Sequence, residues 1–398
     1  MKNIRQTKYG QVEGFVENGI FKCFGIPFAK PPIGELRFKR AMEPEPWSEV
    51  KECKKMSAKP CNFFASRPKK TKEKNRDESE DCLYLNVWSP KKAEKAPVFV
   101  WIYGGANHIG GSSNPEYDLE SFADKGKTHK LNNELYLKGL KLDKENISKL
   151  REMSVEELAA GTKLVFENNK FYPGILIPGP VIDDLVPEKP WEALEKGVSK
   201  DIKCMFGTCK DDGRLFYRLK IVPRSWEELN AMLEYNNYLE YFDDLKKVYG
   251  DKKEKDAMNE IATDRMFLID TMRCCLNQSK YNTVYSYRFD FETGIEKILR
   301  LNSIHGTDIC PALDTWKGEM ARLHDFTSKK RKMKIHEYTH NSFVNFIKTG
   351  DPNGNIPVKW NEYKEDNKEV FVFNDECKTI KNSKEDEFKL WSSLYLYQ

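Results

Sequence analysis

Hydrophobic and polar positions alternate almost from the first residue. In YGQVEGFVENGIFKCFG (9–25) the alternation runs on both sides of Asn18-Gly19. A period of two lines one face of a strand, and Asn-Gly accepts the two positive φ angles of a type I′ turn, so this stretch predicts a β-hairpin. LYLNVW (83–88) alternates in the same way, whereas VFVWIY (98–103) is apolar throughout, the pattern of a strand buried on both faces of a sheet. Between them, GIPFAKPPIGELRF (25–38) is too rich in proline for regular structure, and the charge run from Arg67 to Glu80 reads as a solvated loop. Further on, Ile147, Leu150 and Met153 recur in threes, and Ser154 with Glu157 forms a capping box that opens SVEELAAG, with Gly161 as its stop. Three more strands are expected at IKCMFGT (202–208), TVYSYRFD (283–290) and EVFVFND (369–375). Strands separated by helical segments predict an α/β chain. No internal repeat or low-complexity tract interrupts the pattern.

Composition narrows the functional classes. The 398 residues suffice for two average domains or one large α/β domain. Apolar residues make up 39%, short of the 45–50% or so of ordinary globular chains, which predicts an undersized core. With 66 basic against 62 acidic residues the net charge is only +4, too even a balance for a nucleic-acid or membrane footprint. Small molecules are the expected partners. The opening MKNIRQTKYGQVEG has no apolar h-region and no run of 18 apolar residues occurs, so a cytoplasmic location is expected. Ten cysteines at irregular spacing, including adjacent Cys274 and Cys275, suit reduced thiols better than a disulfide lattice or a paired-CxxC zinc site. Neither a metal nor a cofactor is expected.

WIYGGANHIGG (101–111) carries an apolar strand into three tiny residues, the lip of a hydrolytic site. Together with GIPFAKPPIGELRF, SEDCLYLNVW (79–88), PGPVIDD (178–184), GTCKDDGRLF (207–216), SIHGTDI (303–309) and FVNFIKTGDPNG (343–354) it resembles, in order and spacing, the type-B carboxylesterase and cholinesterase family of α/β-hydrolases. The resemblance implies a single domain over 1–398, with a mostly parallel central sheet flanked by helices. It also implies an ester cleaved by a Ser, acid and His triad, in that chain order, with backbone N–H groups holding the oxyanion. The oxyanion loop then maps onto Gly104, Gly105 and Ala106, where small residues let a carbonyl oxygen approach. The acid maps onto Asp212, one methylene shorter than the family's usual Glu, and the base onto His305. Cys61 and Cys82 fall where family members often have a cysteine pair, and in a cytoplasmic chain they are expected as thiols.

The serine is missing. A nucleophile elbow needs GxSxG between a strand and a helix to lift the Oγ clear of the sheet, and the motif occurs nowhere in the chain. Where the family would continue with an apolar strand, LESFADKG (119–126) runs into KTHKLNNE, which places a deletion seam near 126–127. By resemblance about three βαβ units of roughly 30 residues each are absent, the central strands among them, and these are the most apolar part of such a sheet. Ser112, Ser113 and Cys209 lack the strand-turn-helix setting that aligns a nucleophile. HEYTH (336–340) matches the HExxH pattern of a zinc hydrolase with Glu337 as base, yet a third ligand has no obvious home, Glu362 lying beyond a Pro and Gly loop rather than on a following helix. Two exposed histidines on a helix is the simpler reading. Adhesion proteins resembling cholinesterases keep the fold without a triad, but they keep the central segment as well. The expectation is therefore an α/β-hydrolase whose ancestral substrate is a small carboxylic ester, catalytically silent, with sheet edges left open.

Overall fold

The computed structural model describes residues 3–61, 78–90, 98, 100–105, 110–114, 147–154, 157–158, 187–235, 237–382 and 384–394. The chain divides into two compact units, Met1–Glu167 with Leu176–Val181, and Asn168–Ile175 with Ile182–Gln398.

In the first unit, strands β1 (Asn3–Gln6), β2 (Gln11–Glu17), β3 (Ile20–Pro27), β4 (Lys51–Glu52) and β5 (Tyr84–Pro90) form one sheet in the order β1-β2-β3-β5, with β4 parallel to β2. The predicted hairpin is β2–β3. Asn18 and Gly19 both have positive φ, 52° and 79°, the signature of a type I′ turn. The β3–β5 register slips between Cys23 and Ile26, where Gly25 takes a φ of 70°. Val12, Phe21, Cys23 and Cys53 form the core beneath the hairpin. Arg37 ties distant loops together, donating to Glu80 and to the carbonyls of Leu150, Arg151 and Met153. The predicted capping box exists, Ser154 and Glu157 exchanging hydrogen bonds of 2.7 and 3.2 Å. Ile147–Arg151 is a 3-10 turn rather than an α-helix, and Gly161 lies outside the described residues.

The expectation for VFVWIY is overturned. Residues 98 and 100–103 carry no sheet pairing among the described residues, and Val98 and Ile102 are 79% and 56% exposed. A continuous apolar run marks two-faced burial only when strands and helices surround it, and among the described residues no strand pairs with this one.

The second unit holds β6 (Cys204–Cys209), β7 (Val284–Phe289), β8 (Glu369–Phe373) and β9 (Lys378–Lys381), in that order. β6, β7 and β8 are parallel and β9 is antiparallel to β8. One face packs Tyr285, Phe289, Phe371, Phe373 and Trp360 against Ile335 of the helix Lys329–Thr349. The other packs Val284, Val370 and Tyr363 against Cys275 of the helix Ile269–Ser279. Burial on both faces explains why EVFVFND lacks alternation. Ser328 caps the long helix through its hydroxyl and Gly350, at φ 76°, ends it in the left-handed conformation. A helical layer with its own core, Leu229, Met232, Leu245, Tyr249, Met258 and Trp391, completes the unit. Within it the helices Glu254–Thr263 and Ile269–Ser279 run on through a π-turn at Asp264–Leu268.

Candidate active site

Strand β6 ends at Cys209, and the chain turns through Lys210–Gly213 into the short helix Arg214–Arg218. Asp212 sits in that turn with 4% of its side chain exposed. Its Oδ2 accepts the Cys209 N–H at 2.7 Å, and its Oδ1 lies 2.9 Å from Nδ1 of His305, ninety-three residues later. The turn is pressed against the helical layer at Gly213. A Cβ there would stand 2.3 Å from the Thr263 nitrogen, and the Gly213 N–H donates to Thr263 Oγ1 at 3.0 Å.

His305 lies on the loop after the helix Gly294–Leu299, and a fully buried carboxylate holds that loop. Glu296 accepts hydrogen bonds from the Ile304 N–H (3.0 Å), the Thr307 hydroxyl (2.5 Å) and the Thr293 N–H (2.8 Å). Burial pushes its pKa up, against the pull of these donors. Ser303 fastens the same loop to the end of β7 and to the turn that carries Asp212. Its hydroxyl donates to the Phe289 carbonyl at 2.7 Å and its carbonyl accepts the Asp211 N–H at 2.9 Å. The Phe267 ring stacks on the imidazole at 4.8 Å and Phe216 packs at 5.6 Å, while 47% of the histidine side chain remains exposed. The ring is thus fixed in plane and tautomer: with Asp212 accepting at Nδ1, Nε2 is the nitrogen left to take a proton.

Electrostatics match that geometry. Burial works to lower the His305 pKa, but the hydrogen bond and charge of Asp212, with the charge of Asp308, outweigh it, and the net direction is up. Burial also raises Asp212 above the ordinary carboxylate value, opposed by His305. Replacing Asp212 with Asn removes the largest raising influence and leaves the burial, so the His305 pKa is expected to fall. Histidine proton resonances followed through a pH titration measure it, and an unchanged midpoint would break the pairing.

Asp308 and Cys209 form a second group beneath the pair. Asp308 accepts from the Tyr287 hydroxyl at 2.9 Å and from the Cys209 thiol at 3.6 Å. Burial first, then the charges of Asp308 and Asp212, push the Cys209 thiol well up, so it stays protonated and is no nucleophile. Glu296 and Phe267 were not legible as site residues, since no motif marks them, and Asp308, though inside SIHGTDI, carried no assigned role there. Gly104 has no regular secondary structure and Gly105 lies in a bend at φ 138°; Ala106 lies outside the described residues. Ser112 and Ser113 occupy a turn, with the Ser112 carbonyl accepting from Asn86.

HEYTH lies on the helix Lys329–Thr349, but its histidines are half-buried rather than exposed. His336 and His340 stack at 5.1 Å and turn their Nδ1 atoms to the carbonyls of Pro311 and Ala312. Glu362 instead faces Thr283. Among the described residues, the one group of three ligands close enough to share an ion is Glu260, Asp264 and Glu387, and the Lys384 ammonium already fills it.

A carboxylate and a histidine carried past the ends of parallel strands, on a chain of mixed sheet and helices, define an α/β-hydrolase. The description "Carboxylesterase family" matches residues 1–131 and 124–391, and the chain belongs to that family. Para-nitrobenzyl esterase of Bacillus subtilis is 26% identical over 485 aligned positions, covering 96% of each chain. Fumonisin B1 esterase of Sphingopyxis macrogoltabida is 39% identical over 127 residues, which is 31% of this chain and 23% of that one. A solved PNB esterase superposes with a TM-score of 0.83 over 98% of this chain and 99% of its own, at 21% identity. Aspergillus niger EstA superposes with 0.78 at 16% identity. These superpositions establish the fold.

Proposed function

We propose that this chain is a carboxylic-ester hydrolase by descent that retains its acid–base pair, Asp212 and His305, and has lost its nucleophile. The observation that carries the reading is the 2.9 Å contact between those two residues in a chain without GxSxG. Two features support a deletion near 126–127. The family match comes in two pieces that meet at 124–131, and the alignment to the Bacillus esterase spans 485 positions against 398 residues here, so the relative carries residues this chain lacks. Gly104, Gly105 and Ala106 take the oxyanion role. That hole is incomplete, because the residue after the serine normally supplies one of its N–H groups.

The ancestral step is attack of a serine Oγ on the ester carbonyl while His305 Nε2 accepts its proton and Asp212 steadies the imidazolium. Here the proton acceptor stands ready with no hydroxyl to deprotonate. Hydrolysis of p-nitrophenyl acetate by the purified chain is expected to match an equal concentration of free imidazole, without saturation, and to stay so in His305→Ala. Saturable turnover that disappears in His305→Ala would overturn the proposal.

A further inference from the structure

The first unit holds two cysteines that no role in ester cleavage uses. Cys23 lies in β3 and Cys53 directly follows β4. Both are 1% exposed, and they sit in the same small core with Val12 and Phe21. The Phe24 N–H donates to the Cys53 carbonyl at 2.8 Å, and Phe24 and Lys54 form a parallel bridge. In a parallel pair, residues one step back from a bridge are again neighbours and point to the same face. Cys23 and Cys53 are that preceding pair. Neighbouring strands lie about 4.7–4.9 Å apart, inside the Cα separation of about 4.4–6.8 Å that a disulfide spans.

We propose that Cys23 and Cys53 are an oxidation site, a thiol pair that closes to a disulfide under peroxide and staples β3 to the segment after β4. The chemistry balances with a peroxide as oxidant. The Cys53 thiolate attacks one oxygen of hydrogen peroxide, becoming a sulfenic acid as hydroxide leaves and takes up the thiol's proton to form water. The Cys23 sulfur then attacks the sulfenic sulfur, forming the S–S bond and expelling a second water. Two electrons pass from the two thiols to the peroxide.

The roles follow from the local field. A hydrogen bond from Cys23 is the largest influence on Cys53 and lowers its pKa, while that same contact, then burial, drives Cys23 up. The thiolate, and with it the first attack, belongs to Cys53. Cys209 and Cys275 are the contrast: each is raised by burial above all. Hydrogen peroxide is small enough to reach the pair through local opening of the sheet, where a bulky disulfide reagent is hindered.

The placement of lysines makes the test direct. Trypsin cuts after Lys22 and Arg37, sparing the Lys30-Pro31 bond, and after Lys51 and Lys54, so each cysteine emerges on its own short peptide. The full chain is treated with hydrogen peroxide, its remaining thiols are blocked with N-ethylmaleimide, and it is digested without reductant. The expected product is peptide 23–37 joined to peptide 52–54, two hydrogens lighter than the separate pair, and cleaved by dithiothreitol. Oxidation should also raise the thermal midpoint by several degrees in the parent chain, reversibly, since the cross-link restricts the unfolded chain. In Cys23→Ala, which keeps the Cys53 segment, the linked peptide and the rise should both vanish. Recovery of both peptides as maleimide adducts after peroxide has oxidised other cysteines would overturn the proposal. So would a rise in midpoint that persists in Cys23→Ala.

Discussion

Inserting the interval that carries the nucleophile elbow between Gly126 and Lys127 should raise p-nitrophenyl ester turnover at least about a thousandfold above the imidazole-like background. Para-nitrobenzyl esterase of Bacillus subtilis aligns with this chain over nearly its whole length and is the natural donor. The expected gain is large because triad members act as a unit: removing the serine alone costs about as much as removing all three, on the order of a millionfold. On the proposed reading the other two are Asp212 and His305, which already meet at 2.9 Å. Asp212 is buried with both oxygens bonded, and Glu296 and Ser303 hold the loop of His305, so an added Oγ meets an oriented base. On the proposed reading the grafted elbow also supplies the oxyanion-hole N–H that follows the serine. The shorter Asp212 and an imperfect graft account for expecting less than the full factor. In the chimera, His305→Ala and replacement of the grafted serine by Ala should each abolish the gain. A chimera that melts cooperatively and gains activity indifferent to His305 would dissociate this pair from the family's chemistry.

How much of this could be read beforehand depended on the range of the interactions. The β2–β3 hairpin was legible because Asn18-Gly19 sets its turn locally, and β7 and β8 were legible from short runs whose apolar character is a property of the strand. Asp212 and His305 were legible only through resemblance, since nothing in GTCKDDG or SIHGTDI alone says that they meet. Residues joined across long stretches of chain escaped. Glu296 reads as an ordinary helix carboxylate until its three donors close around it, and Phe267 becomes the shelf under His305 only because a π-turn places it there. VFVWIY failed for the converse reason: a continuous apolar run presumes strands on either side, and among the described residues this one has no sheet partner.

Lys384→Met should cost about 3–5 kcal/mol of stability at pH 8, the usual consequence of removing one partner from a buried ion pair. The Lys384 ammonium lies 2.5 Å from Glu260, 2.6 Å from Asp264 and 3.4 Å from Glu387. The ligand oxygens of these three acids fall within 4.8 Å of one another. Asp264 is almost fully buried, and its carboxylate also accepts the Tyr249 hydroxyl, which in turn accepts from Trp391 Nε1. Lys384 therefore fastens the helix Glu385–Ser393 to the π-turn, and Met keeps an unbranched side chain one atom shorter, without the charge. With 22% of the lysine side chain exposed, the cost belongs near the lower end of that range. Its pH dependence separates electrostatics from packing. Burial raises Asp264 to about 6 even with Lys384 pulling the other way. A carboxyl whose folded pKa lies above its unfolded value binds protons more tightly when folded, so its stabilising contribution is present below the unfolded pKa and is lost as pH rises through the folded one. Without the lysine that folded value climbs further, because the three acids then repel with nothing between them. The deficit of Lys384→Met, read from urea midpoints, should be greatest at pH 8 and shrink toward pH 5 as Asp264 takes up its proton. Adding Asp264→Asn should recover part of the loss at pH 8. A deficit equal at both pH values would mean that the lysine acts through its methylenes, and that the acids around it carry no net charge penalty.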